Sequence, residues 1–348
     1  MSISQHVLTA PVYGLTLGKH VSDEIRVGSV TFISAKKIPR VRRRLGIKHP
    51  ISHYRKRLHD TNRQLFSNAN TYAVLVSPRD LSDKDLSREF KEIRDAFWLL
   101  ASSFAFRKRE NSGMALRPHA DSQSLRDVAM FDRATDGCRL NVKFNDGVRH
   151  DYCDEFWVEN ANRGHFFAIQ KILDGKTALS TGWIRSLTRA GKLLGQSYLA
   201  KHLAEAFNYN MIGLETLLCS PNKHRDSLVE RLIALFGWLH KEDRAPWEES
   251  VNRLYDLRCK YVHDGMSDDI TGMDLHTSET ILKNVLRNFC KNPNVIKKKE
   301  DVIAIANRYA ACETLGIKPK RPCVFYYQQR VLSPDVIAKI NDTQAWEW

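Results

Sequence analysis

The amino-acid sequence predicts an α+β protein. It comprises a mixed α/β N-terminal domain over 1–180, an all-α four-helix bundle over 183–291 and a small helical extension over 292–348. Three observations carry that expectation. Strand-type alternation of apolar residues is confined to roughly the first 180 positions. From about 183 onward apolar residues recur at helical spacing. A chain of 348 residues also exceeds the usual size of a single core, so more than one domain is expected. Hydrophobic residues at 43% and charged residues at 27% are ordinary values for a folded chain and argue against extensive disorder.

In chain order, "IRVGSVTFIS" (25–34) alternates at Ile25, Val27, Val30 and Phe32, and "YAVLVS" (72–77) has the composition of a short buried strand. "SDKDLSREFKEIRDAFWLLASSF" opens with a capping-type Ser82 and places Leu86, Phe90, Ile93, Phe97 and Leu100 on one helical face. The Asn-Asp-Gly of "RLNVKFNDGVRHDYCDEFWV" (139–158) is a hairpin-turn signal between two alternating segments. The bundle then reads as four helices. The first runs from Tyr198 to Leu218, with Pro221 beyond its end, and the second opens on Ser227 and Glu230 in capping-box spacing. The third starts near Pro246 and stops at Gly265, and the fourth spans about Asp274 to Cys290 with Leu275, Leu282, Val285 and Phe289 as its apolar stripe. Short connections between amphipathic helices imply a bundle. A further helix at about 300–315, a strand-like "CVFYYQQ" and a helical "SPDVIAKI" complete the extension.

Seven cysteines without CxxC spacing fit free thiols in a reducing compartment. The N-terminus lacks the pattern of a signal peptide, and the uncharged run 96–106 is far shorter than the roughly 20 residues of a membrane span, so a cytoplasmic protein is expected. The net charge of +14 is local: residues 36–63 carry eleven Lys/Arg against Asp60 alone. Lys36, Lys37, Arg40, Arg42, Arg43, Arg44, Arg55, Lys56 and Arg57 are therefore candidate nucleic-acid contacts, because cations that neutralise phosphates release counterions. A solvated basic loop is the alternative.

The stretch "LYDLRCKYVHDG" (254–265) sets Arg258 and His263 near the end of the third helix. Arg-x4-His alone is weak: chance gives about one copy in a chain of this composition, and a second, Arg44 and His49, does exist. Taken with "NMIGLETLL" (210–218) and Glu215 within it, however, the stretch resembles the HEPN superfamily of helical bundles, and within it the Apea-like group. The resemblance covers about residues 198–291 and extends weakly upstream to "GWIRSLTRAGKLL".

The resemblance implies a metal-independent endoribonuclease in which Arg258 and His263 act on the scissile phosphate, usually in a homodimer that brings two such pairs together. It also implies that some members only bind RNA. Glu215 is expected to orient the arginine, while Asn252 and Cys259 are candidate supporting residues; Cys259 departs from the polar residue common after the arginine in active members. A role in antiviral defence or as a toxin follows by analogy only.

Chemically, an imidazole of ordinary pKa near 6.5 can take a proton from a ribose 2′-hydroxyl or give one to the departing 5′-oxygen. A guanidinium fork suits the phosphate charge. On a regular helix the two side chains leave about 140° apart, so convergence requires His263 to swing where the helix stops before Gly265. The alternative is structural, with His263 and Lys260 complementing the helix dipole and Arg258 pairing with Asp256 or Glu215. With 12 Lys/Arg against 14 Asp/Glu in 198–291, the bundle exerts little long-range pull on RNA, so the basic segment is the expected recruiter. "DGKTALS" (174–180) has Gln170 where a phosphate loop needs its first glycine, and Cys138, His150 and Cys153 are poorly spaced for zinc. No metal or cofactor is expected.

Overall fold

In the computed structural model the described residues are 6–12, 14–45, 47, 50, 52, 69–77, 83–106, 127–132, 138–142, 151–175, 177–200, 202–220, 224–239, 244–318, 320 and 324–328. The protein is mixed α and β, with helix dominant. It divides into two compact units. One comprises Met1–Leu100 with Pro118–Asn160, the other Ala101–Arg117 with Ala161–Trp348. The helical unit thus begins before 183 and takes in the C-terminal stretch expected to stand apart.

The first unit is built on a six-stranded antiparallel sheet. Its strands are β1 (His6–Val12), β3 (Glu24–Val27), β4 (Val30–Ser34), β5 (Thr71–Ser77), β6 (Asp127–Asp132) and β7 (Cys138–Val142), in the order β3-β4-β5-β1-β6-β7. The alternation at 25–34 is a tight hairpin turning at Gly28, whose φ of +59° is one that glycine adopts without strain. Central β1 has no counterpart in the sequence expectations, and it carries Pro11, a residue rarely found in an interior strand. The structure accommodates it: β1 pairs with β6 only over His6–Thr9, so beyond Thr9 the proline breaks no ladder on that side.

A small parallel pair joins β2 (Leu15–Leu17) to β8 (Asp151–Cys153). The strand readings on either side of the Asn-Asp-Gly signal, β7 and β8, therefore do not pair with each other; the turn itself lies outside the described residues. "EFWVENANR" is also helical (α3, Glu155–Arg163), capped by Asp154 Oδ1, which accepts from the Trp157 N–H at 2.8 Å. The short helix α1 (Ile38–Val41) starts within the basic segment, and α2 (Asp83–Ser102) buries Ile93, Phe97 and Leu100 as its spacing predicts. The Ser82 cap lies outside the described residues.

The second unit contains α4 (Phe166–Leu173), α5 (Thr181–Leu199), α6 (Leu203–Leu218), α7 (His224–Phe236), α8 (Arg244–Asp264), α9 (Gly272–Lys291) and α10 (Lys299–Thr314). The helix expected from Tyr198 to Leu218 is two helices. The chain is extended at Ala200 and His202, and Tyr198 lies in the last turn of α5, whose Trp183, Leu187 and Leu194 are buried. Helix α9 begins with a reciprocal capping box between Thr271 and Asp274. Instead of carrying one apolar stripe, it is enclosed almost all round, with Ser278, Glu279, Lys283, Asn284 and Asn288 buried alongside Leu282 and Phe289. Its close approach to α6 depends on Gly213: a Cβ there would lie 2.8 Å from Leu282 Cδ2.

Candidate functional site

Arg258 and His263 both lie on α8, and the helix continues through Asp264 before Gly265 takes φ +69°. His263 therefore belongs to the last helical turn, and the backbone swing expected beyond the helix end is not observed. The two side chains have different surroundings. Arg258 turns toward α6: its Nη2 donates to Glu215 Oε2 at 3.0 Å, and its Nε lies 2.8 Å from Glu215 Oε1. Both side chains are largely enclosed, at 17% and 10% exposure. Nη1 makes no hydrogen bond among the described residues. His263 is exposed and has no hydrogen bond or ion pair among the described residues, and its neighbours Val262 and Met266 are also exposed. The structure thus gives Arg258 the carboxylate partner expected of Glu215 and does not join it to His263 within one chain.

The supporting residues make local contacts. Asn252 Nδ2 donates to the Glu248 carbonyl one turn back at 3.0 Å, so Asn252 braces its own helix. Cys259 lies beside Tyr255, whose phenol is pushed up to about 12, first by burial and then by the neighbouring thiol. The end of α8 is held by Lys260, whose Nζ lies 2.9 Å from Asp269 Oδ2, and by Arg253, which grips Asp274 through Nε at 2.9 Å and Nη2 at 3.1 Å. This clamp fixes the turn that follows His263.

Sequence reasoning missed two cations at this site. Arg231 donates to the Leu218 carbonyl and, at 2.8 Å, to Ser220 Oγ, while Lys299 Nζ donates to the Thr216 carbonyl at 3.0 Å. Both satisfy carbonyls at the negative end of α6, close to the turn that carries Glu215. Buried Cys219 feels Glu215, Lys299, Arg231 and Arg258 together. Burial is the largest influence on its thiol and raises it to about 12, so Cys219 is no thiolate nucleophile. Glu230 acts on Arg231 and Glu300 on Lys299, so the three cations here face three carboxylates. Lys299 lies 83 residues from its acceptor, so no local pattern announces it.

No family model, curated protein or solved structure matches this chain. The chemistry of the site therefore rests on the residues themselves. A second polar arrangement, Ser102 Oγ 2.8 Å from His165 Nε2, is fully buried, and burial lowers the imidazole to about 3. A neutral, enclosed histidine of this kind serves the core and not a substrate.

In the first unit, the basic segment is anchored by its apolar residues: Ile38, Val41, Leu45 and Ile47 pack with Val7, Ile33 and Tyr72. Lys36, Arg40 and Arg43 are exposed, and Arg42 is half-buried. Lys37 and Arg44 are partly spent on Glu24, at 3.1 and 2.7 Å. Burial acts to raise the Glu24 carboxyl, but these two cations prevail and hold it below its usual value. Arg55, Lys56 and Arg57 lie outside the described residues. Among the described residues no group of His, Cys, Asp and Glu is arranged to hold a metal, and no helix is long and apolar enough to cross a membrane.

Proposed function

We propose that the protein is a cytoplasmic, metal-independent endoribonuclease of the HEPN type, acting as a homodimer, with an antiviral or toxin role. The observation that carries this reading is the state of the two key side chains. Glu215 holds the Arg258 guanidinium by one edge and leaves Nη1 for a phosphate oxygen, while an unpartnered imidazole stands exposed near the end of the same helix. Because their directions diverge on one helix, the catalytic centre is formed when a second copy presents its own pair across a shared cleft. In that cleft His263 accepts the 2′-hydroxyl proton, the 2′-oxygen attacks phosphorus, the 5′-oxygen leaves with a proton, and Arg258 neutralises the phosphorane charge. The products are a 2′,3′-cyclic phosphate and a 5′-hydroxyl, so DNA is inert. The exposed cations of the basic segment recruit RNA.

A second reading is favoured by the pairing itself. If the Arg258–Glu215 ion pair is purely structural, the bundle is an inactive RNA-binding or assembly module. Incubation of RNA with the protein in excess EDTA, beside Arg258→Ala and His263→Ala, separates the two. Cleavage that both variants lose supports the enzyme; binding without cleavage supports the module.

A further inference from the structure

Residues 324–328 form no strand, yet their backbone is held by side chains in a defined register. Asn284 Nδ2 donates to the Gln328 carbonyl at 3.1 Å, and Asn284 Oδ1 accepts from the Gln328 N–H at 2.8 Å. One turn along α9, Asn288 does the same with Tyr326, at 2.7 Å to its carbonyl and 2.9 Å from its N–H. In an extended chain the N–H and C=O of one residue point to the same side, and so do those of the residue two further on. Four residues of helix rise about 6.0 Å, and two residues of extended chain advance about 6.6 Å. Amides at i and i+4 on a helix therefore meet alternate residues of an extended peptide.

The amides are also bonded within their own helix. Asn284 Nδ2 donates its other hydrogen to the Thr280 carbonyl at 2.8 Å, and Asn288 Nδ2 to the Asn284 carbonyl at 2.7 Å. Asn292 repeats the pattern, donating to the Asn288 carbonyl at 2.8 Å, but makes no bond to the segment among the described residues. It extends the row in the direction of Val324.

Side chains alternate as an extended ligand requires. Phe325 is 2% exposed, with ring centroids 5.6 Å from Phe236 and 6.4 Å from Phe289. Tyr327 meets Phe236 at 6.2 Å and Trp247 at 6.3 Å. Val324 and Tyr326 face outward, at 60% and 59% exposure. Backbone bonding supplies affinity and the alternate pockets supply selectivity, the division of labour found when sheets capture peptides, here performed by a helix.

We propose that the Asn284–Asn288–Asn292 row of α9, with the aromatic pockets of Phe236, Phe289 and Trp247, is a recognition groove for an extended peptide bearing aromatic residues at alternate positions. Its resident ligand is the chain's own Val324–Gln328, held reversibly as a tethered segment. Of the two outward residues, Tyr326 has the Arg287 guanidinium 5.7 Å from its ring centroid, whereas Val324 is 60% exposed, so the groove is least demanding at 324.

The test inserts a specific protease site after Lys318, in a stretch where Leu315 and Ile317 are exposed, and cuts the folded full-length chain. A fluorescein-labelled peptide with the sequence of residues 322–330 is then titrated by anisotropy. The uncut chain should take up little peptide, because the tether holds its own segment at high effective concentration. The cut chain should bind it. Replacing Phe325 by Ala in the peptide, or N-methylating the Tyr326 nitrogen, should weaken binding on the order of tenfold, while Val324→Ser should change it less than about twofold. Asn284→Ala and Asn288→Ala should each weaken it similarly. Because the peptide changes leave the protein untouched, they remain decisive if an asparagine variant does not fold. Failure of the cut chain to bind, equal binding of the N-methylated peptide, or uptake by the uncut chain equal to that by the cut one would each overturn the proposal.

Discussion

Removing Glu215 while keeping Arg258 should destabilise the helical unit far more than removing both. The pair is 17% and 10% exposed and held at 2.8 and 3.0 Å, which places it nearer the buried than the surface limit. Exposed pairs contribute about 0–1 kcal/mol, whereas breaking a buried pair from one side costs roughly 3–5 kcal/mol because the surviving charge is stranded. Glu215→Ala should therefore cost about 2–3 kcal/mol, or about 5–10 °C in Tm for a unit of this size. Glu215→Leu with Arg258→Met leaves no stranded charge and should fall within about 1 kcal/mol of the parent. Denaturant unfolding of Glu215→Leu, Arg258→Met and the double variant closes the cycle, with an expected coupling of about 2 kcal/mol. A coupling below about 0.5 kcal/mol would show that Glu215 does not hold the guanidinium, and the orientation ascribed to Arg258 would fall with it.

Two further stability effects follow from the fold. Gly213→Ala places a methyl 2.8 Å from buried Leu282 Cδ2 and should cost about 1–3 kcal/mol in denaturant unfolding, partly recovered by adding Leu282→Val; an unchanged midpoint would contradict the close α6–α9 crossing. His165 has a folded pKa lowered to about 3, chiefly by burial, against an unfolded value of about 6.5. Between those values the unfolded chain binds the proton and the folded one does not, so stability falls as pH drops below 6.5. The loss should reach about 2 kcal/mol by pH 5 relative to neutral pH and be absent from that slope in His165→Gln. Equal slopes in the two proteins would contradict it.

Local pattern was a sufficient guide where one short stretch decides the outcome. The hairpin at 24–34, β5 and α2 each announce themselves through alternation or helical spacing. Pairing at a distance was not legible. Central β1 was not read, and the register that tolerates its Pro11 is set by where β6 stops. Apolar Trp157 and Ala161 support a helix as well as strand residues would, and only the Asp154 cap decides between them. The polar face of α9 reads as solvent-exposed, yet Asn284 and Asn288 are satisfied by residues 44 and 38 positions away. At the site, the resemblance implied Glu215 as the partner of Arg258 and the residues left Asp256 or Glu215 open, whereas Arg231 and Lys299 were not anticipated, since both serve carbonyls at a helix end built elsewhere in the chain. The expected approach of His263 to Arg258 failed because α8 stays regular through Asp264.

Mixing inactive subunits tests the shared-cleft proposal most directly. Arg258→Ala and His263→Ala, each silent alone on RNA in EDTA, are combined, allowed to exchange subunits, and assayed with end-group analysis of the products. If the working pair draws its arginine from one copy and its histidine from the other, the mixture regains cleavage with 2′,3′-cyclic phosphate ends. Persistent silence of the mixture beside an active parent would contradict that composite centre, and a parent that never cuts RNA would leave the Arg258–Glu215 pair a structural feature alone.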